Sequence, residues 1–272
     1  MPKSNPVLCC SIARSIGGMG VKTHNAAFRH MNLNYTYVSF EPTGAKAAVD
    51  AMRTLGIRGM GVTMPYKEEI MDYIDDIDEM SREIGAVNTI VNDDGKLTGY
   101  NTDVYGAITA LEEVTTLQDK KVVVIGAGGG AKAVIYGLKQ YTSNISLYNR
   151  DAVRGKSTAD WFSIPYAGSP ELLDASTKYD ILINCTSVGF KSEDTLLTRE
   201  RIRPNSVVMD IIFTPIETTL LKEAKAAGCT TVSGVRMIMH QSYKQFEHYT
   251  GVPAPVEVYE RVIMEICSST KK

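Results

Sequence analysis

Short apolar runs alternate with longer mixed segments over the first hundred residues. Residues 7–11, 35–40, 60–63 and 87–92 read as strands, being short, apolar and rich in β-branched and aromatic side chains. Residues 24–32, 46–55 and 67–74 carry their apolar positions at helical spacing. Such alternation predicts an α/β fold with a mostly parallel sheet. Asp94-Gly95, set between residues 86–92 and 96–100, is a two-residue hairpin signal, so part of this sheet is expected to be antiparallel.

The pattern resets near residue 104, and residues 111–119 read as a linker into a second α/β unit. That unit runs as strand 121–125, glycine turn, helix 131–141, strand 145–148, helix 152–162, then strands 180–184 and 206–211. Two helical patterns, 234–249 and 256–267, close the chain around Gly251-Val252-Pro253.

Composition narrows the function classes. With 272 residues, 44% hydrophobic and 22% charged, the chain is globular and long enough for two domains. Lys and Arg total 29 against 31 Asp and Glu, so no global field favours nucleic acid or an anionic membrane as partner. The apolar run 6–10 is too short for a signal peptide and leads to Arg14, and no apolar stretch reaches the ~20 residues of a membrane span. Cys9, Cys10, Cys185, Cys229 and Cys267 are odd in number and lack zinc-site spacing, as expected of reduced thiols in a cytoplasmic protein.

The most specific local signal is Val122-Val123-Val124-Ile125-Gly126-Ala127-Gly128-Gly129-Gly130-Ala131, a buried strand entering G-x-G-x-x-A and then a helix. Gly126 allows the tight turn, Gly128 lets backbone N–H groups approach a pyrophosphate, and small residues at Gly129, Gly130 and Ala131 let helix and strand pack closely. This predicts a Rossmann-type dinucleotide-binding domain. An acidic residue ~20 positions on would bind the ribose 2′-hydroxyl of NAD. Here that strand ends Tyr148-Asn149-Arg150-Asp151. Asn149 stands at the acidic position, and Arg150 with Arg154 suits a 2′-phosphate, which favours NADP over NAD. Asp151 opposes this reading, because its carboxylate would repel a phosphate or bind a free ribose.

Hydride transfer from an alcohol needs a group that takes the hydroxyl proton, and a tuned side chain does this without a metal. Lys67, in Gly61-Val62-Thr63-Met64-Pro65-Tyr66-Lys67, follows a strand end where a helix would start. It is a proton-transfer candidate beside a carboxylate, or else a surface lysine. Asp103 in Asn101-Thr102-Asp103 is a candidate carboxylate or simply a helix N-cap. Asn88-Thr89 is a polar pair in an apolar strand and needs partners or a ligand. His24-Asn25 reads most simply as an N-terminal capping pair.

Taken in chain order, these segments resemble the shikimate dehydrogenase family over nearly the whole length. The family's H-N, V-T-x-P-x-K, A-V-N-T, G-x-N-T-D and G-A-G-G-A motifs correspond to His24-Asn25, residues 62–67, 86–89, 99–103 and 126–131. Its N-x-T-x-x-G, D-x-x-x-x-P-x-x-T-x-L-L and G-x-x-M-x-x-x-Q motifs correspond to residues 184–189, 210–221 and 234–241. The resemblance implies a substrate domain of residues 1–103 and 238–272 and an NADP domain of residues 104–237. It implies reversible reduction of 3-dehydroshikimate to shikimate, with a related quinate or cyclohexene-carboxylate dehydrogenase, or a non-catalytic NADP-binding sensor, as alternatives. It also implies a small-molecule carboxylate as substrate and a monomer or homodimer. Lys67 would be the catalytic lysine and Asp103 its partner. Asn88 and Thr63 would hold ring hydroxyls together with Gln241, while Thr186, Ser187, Gly234 and Met237 would frame the nicotinamide.

One departure touches the substrate grip. At the family's usual spacing for S-x-S, which binds the substrate carboxylate, this chain has Gly18-Met19-Gly20; the alternative is that the pair is represented further upstream by Ser11-Ile12-Ala13, where Ser11 remains and its partner is Ala13. A hydroxyl lost there costs about 1 kcal/mol or more if its acceptor stays unpaired, and Arg14 or Ser15 is expected to compensate. Phe213 also stands where many members have Tyr.

Overall fold

The computed structural model describes residues 5–14 and 18–269, with Ser15 outside that range. The chain divides into two compact units, one formed by residues up to Thr102 together with those from Gln241 onward, the other by Asp103–His240.

The first unit contains β1 (Val7–Ile12), α1 (Met19–His30), β2 (Tyr35–Phe40), α2 (Ala45–Thr54) and β3 (Gly59–Val62). It continues with a 3₁₀ turn (Glu69–Tyr73), β4 (Asp76–Ile77), α3 (Glu79–Ile84), β5 (Thr89–Asp93) and β6 (Lys96–Tyr100). Its sheet has the order β2-β1-β3-β5-β6-β4. β1 runs parallel to β2 and β3, whereas β5 is antiparallel to both its neighbours. The reversal is made at Asp94 and Gly95, whose φ values of 51° and 98° both lie in the left-handed region that a tight two-residue hairpin demands. Cys10, Ile12, Met60, Val62 and Ile90 pack on Ala48, Val49 and Met52 of α2.

Two local expectations need correction, and one helix was not expected. α1 starts at Met19, after Gly18 at its N-cap, rather than near residue 24. The helix expected at 67–74 is instead a series of turns after the cis Met64–Pro65 peptide, with helical geometry only in the 3₁₀ turn. α3 was not foreseen, since six residues hold too few turns to show a period; Asp78 caps it by accepting the Ser81 N–H at 3.2 Å.

The second unit contains α4 (Asp103–Glu112), β7 (Val122–Ile125), α5 (Gly129–Leu138), β8 (Ile145–Tyr148), α6 (Ala152–Phe162) and β9 (Tyr166–Gly168). β10 (Ile181–Asn184), β11 (Val207–Asp210), α7 (Thr219–Ala226) and β12 (Thr230–Ser233) follow. The order β12-β11-β10-β7-β8-β9 is parallel throughout. β7 and β10 are buried at every position, which is why they read as unbroken apolar runs. From β7 the chain builds outward to β8 on one side and to β10 on the other, so the switch point of the sheet falls at the C-terminal end of β7. The expected linker 111–119 overlaps α4, whose Ala107, Ala110 and Leu111 belong to the core.

α8 (Gly234–Thr250) passes from the second unit into the first at His240–Gln241, and α9 (Val256–Ser269) packs on α1 within the first. Among the described residues, no helix is long and apolar enough to cross a membrane, and no group of three or more His, Cys, Asp or Glu is placed to hold a metal ion. None of the five cysteines, all among the described residues, is in a disulfide. Burial pushes Cys9 up to about 12 and raises Cys10 and Cys185 as well, so these three are poor nucleophiles.

Candidate active site

In the first unit, two of the sequence motifs interlock. Asn101 Nδ2 donates to the Ala86 carbonyl at 2.8 Å, and the Asn88 N–H donates to the Tyr100 carbonyl at 3.0 Å. The Thr102 N–H donates to Asn88 Oδ1 at 2.8 Å, and Asn88 Nδ2 donates to Thr102 Oγ1 at 2.9 Å. All these side chains are buried, where an unmade hydrogen bond costs roughly 1–3 kcal/mol, so each residue holds the next in place. Asn88 Nδ2 also lies 3.2 Å from Gln241 Oε1 on α8, which brings together two of the expected ring-binding residues.

The remaining candidates of this unit lie at strand ends. Thr63 follows β3, is exposed, and donates its N–H to the Ile12 carbonyl at 3.1 Å. Lys67 is half-buried, and its carbonyl accepts the Val87 N–H at 2.8 Å, which pins its backbone beside the residue preceding Asn88. Arg14 is exposed just beyond β1, its N–H 3.4 Å from the Met64 carbonyl.

Ser11 has a partner that sequence reading missed. It pairs in register with Ser39 of β2, and the two Oγ atoms are 2.8 Å apart. The only sequence signal for Ser39 is a polar residue within the run 35–40, and its meaning depends on the register with β1.

His24 is no cap. It sits inside α1, fully buried, stacked on Tyr37 with ring centroids 4.4 Å apart, and its Nδ1 is 2.8 Å from Tyr259 Oη. Burial lowers it to about 3, so the imidazole is neutral. Asn25 ties α1 to β2 by accepting the Tyr37 N–H at 2.9 Å and donating to the Tyr37 carbonyl at 2.8 Å.

In the second unit, the turn after β7 has the form that a dinucleotide requires. Gly126 has φ 114°, and a Cβ there would stand 2.9 Å from the Cys185 carbonyl group. Gly128 is the N-cap of α5 and contributes no side chain, which leaves the first-turn N–H groups of Gly129, Gly130 and Ala131 without a side-chain cap. Arg154 reaches back from α6 and donates Nε–H to the Ala127 carbonyl at 3.0 Å. Arg150 is exposed, while Asn149 bonds the Asp151 carbonyl through Nδ2 at 2.7 Å. Asp151 is committed locally: its Oδ1 accepts the N–H groups of Val153 and Arg154 and caps α6.

Thr186 is oriented by Asn184, whose Oδ1 accepts both its N–H at 2.9 Å and its hydroxyl at 2.8 Å. Ser187 is exposed beside it. Gly234 has no room for a side chain, since a Cβ would lie 2.4 Å from the carbonyl oxygens of Ile211 and Ile212, and Met237 is buried one turn later. Asp103 opens α4 and is buried. Phe213 packs near Phe190, with ring centroids 6.2 Å apart.

Both parts of the chain match known families. Residues 17–90 match the shikimate dehydrogenase substrate binding domain, and residues 109–216 match the shikimate / quinate 5-dehydrogenase domain. The NADP(+) shikimate dehydrogenase of Pyrococcus abyssi is 40% identical over 89% of this chain and 91% of its own. A crystal structure of shikimate dehydrogenase in complex with NADP+ superposes with a TM-score of 0.89 at 36% identity, over 97% of this chain and 96% of the other. The Thermus thermophilus shikimate 5-dehydrogenase in complex with NADP(H) and shikimate gives 0.87 at 25% identity, over 95% and 99%. With these likenesses spanning both units, the chain belongs to the shikimate dehydrogenase family.

Proposed function

We infer that this protein is an NADP-dependent oxidoreductase that reversibly reduces 3-dehydroshikimate to shikimate. The observation that carries the reading is the identity with NADP(+) shikimate dehydrogenases across nearly the whole chain. The interlocked Asn88, Thr102 and Gln241 add a fitting chemistry, because a polyhydroxylated ring needs neutral donors and acceptors. NADP, when bound, takes the hydride from the alcohol carbon or returns it. The fit for that cofactor is the bare N-terminus of α5 with Arg154 beside it.

Within this reading, Lys67 exchanges the proton of the reacting hydroxyl and Asp103 is its carboxylate partner. Asn88, Thr63 and Gln241 hold ring hydroxyls. Ser11 and Ser39 supply the paired hydroxyls that grip the carboxylate, and exposed Arg14 adds a positive charge at the same end of β1. Arg150 and Arg154 select the 2′-phosphate; Thr186, Ser187, Gly234 and Met237 border the nicotinamide. The site calls for a small carboxylate as substrate, and the buried thiols of Cys9, Cys10 and Cys185, none in a disulfide, suit a reducing cytoplasm.

Steady-state oxidation of shikimate with NADP and with NAD, with quinate alongside, tests the inference. Rapid turnover with shikimate and NADP is the expected result. Preference for quinate would move the substrate, and binding of NADP without turnover of either acid would leave a sensor.

A further inference from the structure

One buried carboxylate ties together the turns that follow β10 and β11. Asp210, the last residue of β11, is fully buried, as is Asn184, its register partner at the end of β10. Asp210 Oδ1 accepts from Asn184 Nδ2 and from the Ile212 N–H, at 3.1 Å each, and Oδ2 accepts the Thr218 hydroxyl at 2.7 Å. On its other side Asn184 Oδ1 accepts the Thr186 N–H and the Thr186 hydroxyl. A backbone N–H only donates, so the Asn184 carboxamide points its oxygen at Thr186 and its NH2 at Asp210.

Each arm of this relay fixes part of the expected nicotinamide border. Thr186 spends both of its donors on Asn184 and accepts the Val188 N–H at 3.1 Å. The Ser187 carbonyl accepts the Phe190 N–H at 3.0 Å, so the turn that carries exposed Ser187 has a set course. That turn lies against the glycine turn: the Cys185 N–H donates to the Ile125 carbonyl at 2.7 Å, and a Cβ on Gly126 would stand 3.2 Å from Thr186 Cγ2. On the other arm, the bond to the Ile212 N–H holds the segment whose Ile211 and Ile212 carbonyls close over Gly234.

We propose that Asp210 is a positioning residue which, through the Asn184 carboxamide, sets the 185–189 turn beside the glycine turn and thereby the placement of the nicotinamide for hydride transfer. This rests on the reading of Thr186 and Ser187 as the nicotinamide border. The phosphate end of the cofactor, assigned to the N-terminus of α5 and Arg154, does not depend on this relay.

The test uses the full chain with Asp210→Ala and Asn184→Ala, with Asp210→Asn as the conservative variant and Thr218→Val as a structural control. Asn184→Ala breaks the relay one bond away and serves where Asp210→Ala does not fold. In Asp210→Asn the carboxamide keeps an oxygen for the two fixed donors and turns its NH2 to the Thr218 hydroxyl, which accepts as well as donates. Thr218→Val removes the third donor and the cap of α7 without touching Asn184. Reduction of NADP by shikimate is followed in a single turnover, which separates chemistry from binding. Binding of 2′-phospho-ADP-ribose, which lacks the nicotinamide, is measured alongside. The single-turnover rate is expected to fall about tenfold to a hundredfold in Asp210→Ala and Asn184→Ala, the effect of a reacting group misplaced by about 1 Å. Affinity for 2′-phospho-ADP-ribose stays within about twofold, and Asp210→Asn and Thr218→Val keep the rate within about threefold. A folded Asp210→Ala or Asn184→Ala variant with the wild-type rate overturns the proposal. So does an equal loss of 2′-phospho-ADP-ribose binding, or a rate loss in Thr218→Val as large as that in Asn184→Ala, since either makes the cluster a general support of the domain. If the wild-type protein fails to oxidise shikimate, the functional reading falls instead. Amide hydrogen exchange at Thr186, faster in Asp210→Ala and Asn184→Ala and unchanged in Asp210→Asn, then still decides the relay.

Discussion

Ser11 and Ser39 stand opposite each other on β1 and β2 with their hydroxyl oxygens 2.8 Å apart, so the second hydroxyl missing at Ala13 is present on the neighbouring strand. Two parallel strands in register place like side chains side by side on one face of the sheet. Ser39→Ala is expected to raise KM for shikimate about fivefold to twentyfold, the loss of one or two hydrogen bonds, with KM for NADP unchanged. The double variant with Ser11→Ala should cost less than the product of the two single effects, because each hydroxyl orients the other. Strict additivity would mean that the two act apart.

Arg14 separates from the serines by its salt dependence. It is exposed, so any pull on a carboxylate is screened. Arg14→Ala should raise KM for shikimate at low ionic strength and lose most of that effect by about 0.5 M salt, where the Debye length is only a few ångströms. The Ser39→Ala effect should persist there. A salt-independent Arg14→Ala effect would argue for a direct, desolvated contact.

The glycine turn and the hairpin were legible in the sequence because each needs a backbone conformation that only particular residues adopt. Asp94-Gly95 and Gly126 carry positive φ in the folded chain, and both stand in local strand contexts. The Ser39 pairing and the bond from Gln245 to Thr89 were not legible. One depends on strand register and the other on a helix 156 residues from Thr89, and neither leaves a periodic trace. His24 itself was misread because capping preference is a local statistic, whereas α1 begins upstream and carries the imidazole into a cluster of Tyr37, Phe28 and Tyr259. β4, α3 and β12 are too short for periodicity to show.

Lys67→Ala should lower kcat by about a hundredfold or more, the usual contribution of a positioned acid–base group, and leave NADP binding intact. Its carbonyl bond to Val87 is a backbone contact and survives the substitution, which makes loss of fold a poor explanation for a loss of rate. Unchanged kcat would remove Lys67 from the chemistry.

Asp151 and Arg154 make opposite predictions for cofactor choice. Asp151 caps α6, so Asp151→Ala should cost about 1 kcal/mol of stability and Asp151→Asn much less, since asparagine caps equally well. Arg154→Ala removes a guanidinium held at the glycine turn and should weaken NADP about tenfold relative to NAD. If Asp151→Asn instead altered the NADP to NAD ratio more than Arg154→Ala, the acidic side chain would be the selecting group.

Asp210 ends β11 inside the second unit, where it accepts from Thr218 Oγ1 at 2.7 Å and from Asn184 Nδ2 and the Ile212 N–H at 3.1 Å each. Burial pushes its carboxyl up to about 6, and these hydrogen bonds pull it only part of the way back. A raised acid binds its proton more tightly in the folded chain. The stability it contributes is therefore present in full below the ordinary carboxylate value near pH 4 and is lost as pH rises through about 6. The shift corresponds to on the order of 2–3 kcal/mol. Asp210→Asn cannot titrate, so the stability of the wild-type protein relative to this variant should fall by that amount between pH 4 and pH 7. Urea unfolding followed at Trp161, the chain's one tryptophan and a residue of the same unit, measures the difference. A difference that stays constant over this interval would mean that Asp210 is ionised throughout, with its three donors outweighing its burial.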